Sequence, residues 1–528
     1  MSNARSRSLP SWLVRFALVA ALCAVMRPAA AGAQTATAAD LDAVLDSART
    51  ALGAAAFAGE AAVELTGRSD VFGLDSAFSL LIDGSGRFVR RTDGPLGLSS
   101  GYDGSVAWEV NFARTPRILE LGDFESALVS AWLMTGWWLA AEAPMDFEMA
   151  ASDDESVQAI TYRLRGGRAA GRIELDRSTW LPRAAEFDAE GTPQRVQFDG
   201  YQNYGGLRAP RSLRIDSESG ITTTITINAA VPRPDSIEAA VAPPTQRPGD
   251  VRFGPDVPLA LHVERAPTGH LMVKASIDGA EVDGWFFFDT GAGATCISTP
   301  VARALDLEQF GKVAAHGIGG YEDAHFYRPR SFTVGPLTVE RPVLAGIDLS
   351  FIEQAIGIKV AGIIGYDTIA RCVVEFDGAG AAIALHDPAE YALPEGAAWQ
   401  HVYLYSGHPG VRARFDGHDG VFKIDTGAVG TVTFHARAVE RLRLLDGRDT
   451  TASASAGVGG HVTTRKGTIE YFELGGRRFE EPTVSFAIEQ KGAFADVYID
   501  GNLGSTFLEP FIMVLDYPNR RIAFVGKP

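Results

Sequence analysis

The tetrapeptide Asp-Thr-Gly-Ala stands twice in this chain, at Asp289-Thr290-Gly291-Ala292 and at Asp425-Thr426-Gly427-Ala428, each directly after an apolar run. Other landmarks repeat in the same order. Phe286-Phe287-Phe288-Asp289 corresponds to Phe422-Lys423-Ile424-Asp425, Gly317-Ile318-Gly319-Gly320 to Gly457-Val458-Gly459-Gly460, and Gly362-Ile363-Ile364-Gly365 to Gly501-Asn502-Leu503-Gly504. The Gly-rich tetrapeptides begin 28 and 32 residues after their aspartates, and the late Gly-x-x-Gly units 73 and 76 residues after. Spacing of this kind marks an internal duplication. It restricts the second half of the chain to a fold with two equivalent units, each presenting one aspartate at the end of a strand.

The local pattern predicts a hairpin in each unit: Met272 to Ile277, a turn around Asp278-Gly279-Ala280, then Trp285 to Asp289; and Val411 to Phe415, a longer turn through Asp416 to Gly420, then Val421 to Asp425. The glycine after each Asp-Thr lets the backbone turn tightly, which brings peptide N–H groups to the carboxylates. Two carboxylates brought close together cannot both ionise cheaply, so the pair shares a proton and suits general acid–base chemistry.

With these motifs the region from Pro258 to Pro528 resembles the aspartic peptidases, specifically retropepsin-like bacterial proteins with two fused D-T-G-A halves. Gly362-Ile363-Ile364-Gly365-Tyr366-Asp367, Asn502-Leu503-Gly504-Ser505-Thr506-Phe507-Leu508 and Leu515-Asp516-Tyr517-Pro518 carry the rest of the likeness. The resemblance implies a mainly β fold in which duplicated retropepsin-like β-barrel halves form a bilobal peptidase. It makes Asp289 and Asp425 the catalytic dyad activating a water, with Thr290, Gly291, Thr426 and Gly427 in support and Thr290 and Thr426 interlocked across the two-fold axis. No cofactor or metal is implied. The segments Gly317 to Gly320 and Gly457 to Gly460 read either as flaps over the cleft or as plain tight turns. As flaps they would bring Gly319, Gly320 and Tyr321, and Gly459, Gly460 and His461, to the substrate. Strand alternation puts Phe287 on the face of Asp289 and Lys423 on the face of Asp425. Lys423 is therefore either a solvated rim residue or a substrate-binding one that stabilises the ionised dyad.

Upstream, residues 1–33 read as a signal peptide: Arg5, Arg7 and Arg15, an apolar run from Phe16 to Met26, and Ala31-Gly32-Ala33 before Gln34. Export to the periplasm or the medium is the expectation. Leu22 is too large to precede a lipoprotein-processing site at Cys23. Residues 38–231 are expected to form an α+β antiparallel half-barrel domain, with an opening helix over Leu41 to Leu52, a hairpin around Asp83-Gly84-Ser85-Gly86, an amphipathic helix from Phe124 to Ala141 holding three tryptophans, and a strand over Ile221 to Ile227. Through Gly101-Tyr102-Asp103-Gly104, Trp108, Leu181-Pro182, Tyr204-Gly205-Gly206-Leu207 and Pro210 this part resembles the bacterial lipoprotein-carrier family, which implies a lipid or lipoprotein ligand; ordinary core is the plainer reading of its tryptophans. Residues 232–250, with Pro232, Pro234, Pro243, Pro244 and Pro248, read as a semi-rigid linker, followed by peptidase halves at 251–392 and 393–528. The region from Val251 is then expected to fold and work alone.

A formal charge of −17 argues against nucleic acid and anionic lipid surfaces as partners. No stretch after the leader is apolar for long enough to span a membrane. H-E-x-x-H, zinc-spaced cysteines and G-x-x-x-x-G-K are all absent, and the ten histidines are scattered. Cys296 and Cys372 read equally as a disulfide or as two thiols. The sequence thus points to an exported aspartic endopeptidase acting as a monomer on peptide or protein substrates. The alternative is a non-catalytic periplasmic carrier of lipid or peptide.

Overall fold

A computed structural model of the chain describes residues 38–53, 62–189, 192–204, 207–233, 237–245, 249–317, 320–457 and 460–526. The leader segment lies outside the described residues. The fold is mainly β throughout.

Thirteen antiparallel strands between Ala62 and Arg233 form one open sheet. The helices Ala38–Leu52 and Leu121–Thr135 sit on one of its faces. Val44, Leu45, Ala48 and Leu52 of the first and Leu128, Val129, Trp132 and Leu133 of the second share a single buried core with residues from strands at both ends of the sheet, Ala107 and Met145 among them. The sheet therefore wraps around its helices. The expected hairpin forms with Ile82 opposite Phe88, and the Asp83 carboxylate accepts the N–H groups of Ser85 and Arg87 at 3.0 Å. The aromatic helix is shorter than its pattern. It stops at Thr135 because Gly136 takes a left-handed conformation (φ 81°), and Trp137–Leu139 continue as a 3-10 turn.

The described part of the Pro-rich segment is anchored at two buried residues. The strand Thr222–Arg233 runs into it, a short helix Glu238–Val241 follows, Ile237 and Val241 are buried, and Trp108 Nε1–H donates to the Val241 carbonyl at 2.7 Å.

The remainder forms two lobes with the same strand plan. In the first, the aspartate strand Trp285–Phe288 pairs parallel with Val360–Ile364, the strand of the late Gly-x-x-Gly; in the second, His418–Asp425 pairs parallel with Gly501–Gly504. Both hairpins turn through Asp-Gly with positive φ at each residue, Asp278 and Gly279 in one and Asp416 and Gly417 in the other. The second turn is thus two residues rather than five, because Phe415 pairs with His418 and the strands run on to the tip. The lobes are tied by a common sheet in which Val373–Asp377 of the first pairs with Phe511–Asp516 of the second.

The N-terminal domain packs closely on both lobes. Phe72 and Phe112 meet Phe326 at ring-centroid distances of 5.5 and 5.6 Å, and Lys312 N–H donates to the Phe72 carbonyl. Tyr498 donates to Glu125 at 2.8 Å, and Arg371, buried, donates to the Ala113 carbonyl. Among the described residues no helix is long and apolar enough to cross a membrane.

Candidate active site

The two Asp-Thr-Gly loops meet where the lobes touch. The Thr290 hydroxyl donates to the Ile424 carbonyl at 2.7 Å and accepts the Thr426 N–H at 3.1 Å; the Thr426 hydroxyl donates to the Phe288 carbonyl at 2.8 Å and accepts the Thr290 N–H at 3.0 Å. Both threonines are buried. These four bonds fix the two aspartates relative to each other. Thr290→Val, which keeps the shape and removes the hydroxyl, orphans a buried carbonyl and a buried N–H. It should cost roughly 2–5 kcal/mol of stability in urea unfolding, with Thr290→Ser largely restored. A valine variant as stable as the parent would show that the interlock holds nothing together.

Glycine is required after each threonine. A Cβ on Gly291 would stand 2.4 Å from Asp425 Oδ1, and one on Gly427 would stand 2.2 Å from Asp289 Cγ. Each carboxylate therefore lies against the other lobe's loop, so the two aspartates share one site. Gly291 N–H donates to Asp289 Oδ1 at 2.7 Å. Burial, followed by the charge of Asp425, pushes the Asp289 carboxyl up to about 8. Burial raises Asp425 as well, opposed first by the Lys423 ammonium and then by backbone N–H groups and Asn502.

The asymmetry has a structural source. Lys423 is only 9% exposed and lies over the Tyr405 ring, 5.8 Å from its centroid; Phe287, its counterpart, is 6% exposed and packs edge-on against His270. Burial rules out the solvated-rim reading of Lys423. Both residues are buried, Lys423 as a cation acting on Asp425 and Phe287 as a hydrocarbon in the first lobe's apolar cluster. Asn502 Nδ2–H donates to Asp425 Oδ2 at 3.0 Å, and its Oδ1 accepts from Nε2 of the fully buried His435, also at 3.0 Å. The first lobe has Ile363 and Ser298 at these two positions, as the matching strand registers establish. Burial and Lys423 hold the His435 imidazole down to about 4, so it stays neutral and fixes the orientation of the amide.

Of the expected flap residues, Gly319 and Gly459 lie outside the described residues. The hairpins themselves are present, Gln309–Gly317 with Gly320–Tyr327 and Thr451–Gly457 with Gly460–Thr468. Gly320 and Tyr321, and Gly460 and His461, open the return strands; Tyr321 is half-buried and His461 exposed. Cys296 and Cys372 are free thiols. No group of three or more metal-ligating side chains occurs among the described residues.

Sequence reading missed a further matched pair. Met272 pairs with Phe287 and Gly410 with Lys423, so His270 and His408, two residues earlier in each strand register, are counterparts. His270 Nε2–H donates to the Gly427 carbonyl at 2.8 Å, while the Thr268 hydroxyl bonds to its Nδ1 at 2.7 Å. His408 lies against the opposite loop, with Nε2 3.7 Å from where a Cβ on Gly293 would stand. The shared dipeptide Gly269-His270 and Gly407-His408, 19 and 17 residues before the aspartates, was the available signal. No curated protein matches the chain. A family model described as aspartyl protease matches it twice, over residues 273–368 and 411–507, so that each lobe carries one copy of a pattern similar to that family.

Proposed function

We propose that the protein is an exported aspartic endopeptidase whose Asp289/Asp425 pair activates a water to hydrolyse peptide bonds. The observation that carries this reading is the single site built from two loops: each carboxylate abuts the other lobe's glycine, and the interlocked threonines hold them there. The two repeats similar to aspartyl proteases support it independently.

In this reading the two aspartates divide the work. Asp425, with Lys423 beside it and the Asn502 amide on its Oδ2, is the ionised partner and takes a proton from the water. Asp289, pushed up to about 8 by burial and its neighbour's charge, keeps its proton and polarises the scissile carbonyl. Proton return to the leaving amine restores the starting state. The titration belongs to the pair jointly.

The sign of the pH dependence follows. Activity requires Asp289 protonated, so it is lost as pH rises through about 8. It requires Asp425 ionised, so it falls again on the acid side, at a pH above the usual carboxylate range because burial raises that group. Lys423→Met removes the cation that opposes this rise, and the acid limb of kcat/KM should move to higher pH. An acid limb left where it was would remove Lys423 from the chemistry.

A full-chain assay with a peptide library at pH 4 to 9 tests the reading. Cleavage that disappears in Asp289→Asn supports it, and cleavage indifferent to that change would end it. Against the lipid half of the carrier alternative stands the packing of the N-terminal domain: the face of its sheet that would hold an acyl chain carries the domain's own helices, with Trp132, Trp137 and Trp138 each at most 2% exposed.

A further inference from the structure

The matched histidines reach the two catalytic loops from differently supported turns. The turn before His270 is held within the lobes: Thr268 bonds to the imidazole and Gly269 packs beside Val429. The turn before His408, Tyr405-Ser406-Gly407, is held from the N-terminal domain. Ser406 N–H donates to Asp123 Oδ2 at 2.7 Å, and its hydroxyl donates to Asp123 Oδ1 at 3.3 Å. Asp123 is paired with Arg117, whose Nη1 also donates to the Leu404 carbonyl at 2.8 Å; both side chains of that ion pair are 2% exposed.

A carboxylate so completely buried is tolerated only where every partner is in place, so it holds Ser406 in one position. Ser406 is in the left-handed region (φ 51°) and Gly407 follows at φ 78°, so the turn is tight and leads directly into His408. On its far side the turn touches the Asp289 loop. The Ser406 carbonyl lies 3.2 Å from the Cβ position of Gly293, and the His408 ring edge lies at 3.6 to 3.7 Å. The His408 ring also faces the Gly291 carbonyl.

We propose that Asp123 of the N-terminal domain is a positioning residue for the Asp289 loop, acting through the Ser406-Gly407-His408 turn, so that the N-terminal domain is a working part of the catalytic centre. The Asp425 loop is reached by His270, whose turn is held within the lobes. The inference rests on the reading of Asp289 as a catalytic residue, and its main test is independent of catalysis.

Amide hydrogen exchange on the full chain provides that test. In Asp123→Asn, exchange across residues 290–296 should accelerate about tenfold or more while residues 426–432 stay within about twofold of the parent. His408→Phe should give the same one-sided change, and His408→Gln, which keeps a side-chain N–H donor, should reverse most of it. If Asp123→Asn does not fold, the two His408 variants decide the question alone. Equal acceleration in both loops, or none in residues 290–296, overturns the proposal. In the cleavage assay the same variants should lower kcat about tenfold or more at nearly constant KM, because the loop is displaced and substrate contacts are not. Loss of cleavage in Asp289→Asn is scored separately and decides only the peptidase reading.

Discussion

Asp289→Asn and Asp425→Asn should each lower kcat on a cleaved peptide by roughly 10²–10⁴-fold, the range of a lost general acid or base. The fold should survive. Asparagine is nearly isosteric with aspartate, its Oδ1 can still accept the Gly291 N–H that now bonds to Asp289, and the threonine interlock is untouched. Removing one of two buried carboxyls also removes their mutual repulsion, so melting temperatures should stay within about 4 °C of the parent. Because the two groups act as one unit, the double variant should be scarcely worse than either single one. Turnover near the parental rate in either variant would mean that the two loops do not form one catalytic site.

The second large effect is expected from removing the N-terminal domain. The Pro-rich segment alone reads as the boundary of a self-sufficient unit at residues 251–528; the interdomain packing argues for the opposite outcome. The fragment would uncover Phe310, Phe326 and Val343, now packed with Phe72, Leu96 and Phe112. It would leave Ser406 without Asp123 and Arg371 without the Ala113 carbonyl. An apolar patch of that kind favours aggregation, and the loss of several buried contacts at once should lower the melting temperature of whatever remains soluble by about 10 °C or more. Size-exclusion chromatography and thermal melts of the fragment beside the full chain measure both. A monomeric fragment with parental melting and turnover would show that the interface is dispensable.

What could be read from the sequence follows from where local chemistry decides structure. The hairpins that deliver Asp289 and Asp425 were legible because period-two strands and Asp-Gly turns are set by neighbouring residues. The order of the repeated landmarks picked out the two aspartates that the loops bring together. Asn502 stood inside a recognised motif, yet its role depends on His435, a residue 67 positions earlier that only the strand pairing brings to it. Likewise nothing in the alternation of Phe287 and Lys423 reveals whether that face opens to water or is closed by Tyr405 and His270. The domain interface was invisible for a related reason. Phe72 sits on a hairpin tip and Phe112 in a loop, where isolated aromatics carry no periodic signal. The helix break at Gly136 was hidden by the opposite effect, an apolar pattern that runs on through a change of backbone conformation.

The unlike neighbours of the two aspartates also bear on why the halves belong to one chain. A site made by two copies of the same half can hold two buried lysines or none. Two would favour ionising both carboxylates and leave neither able to donate; none would leave the choice of proton holder to substrate and chance. Covalent fusion lets Phe287 and Lys423 differ, along with Ile363 and Asn502 and with Ser298 and His435, so that in the proposed mechanism the resting proton has a preferred owner before substrate arrives. Each half is then free to change without imposing the same change on its twin, and direction along the cleft becomes a property of the protein rather than of what it binds.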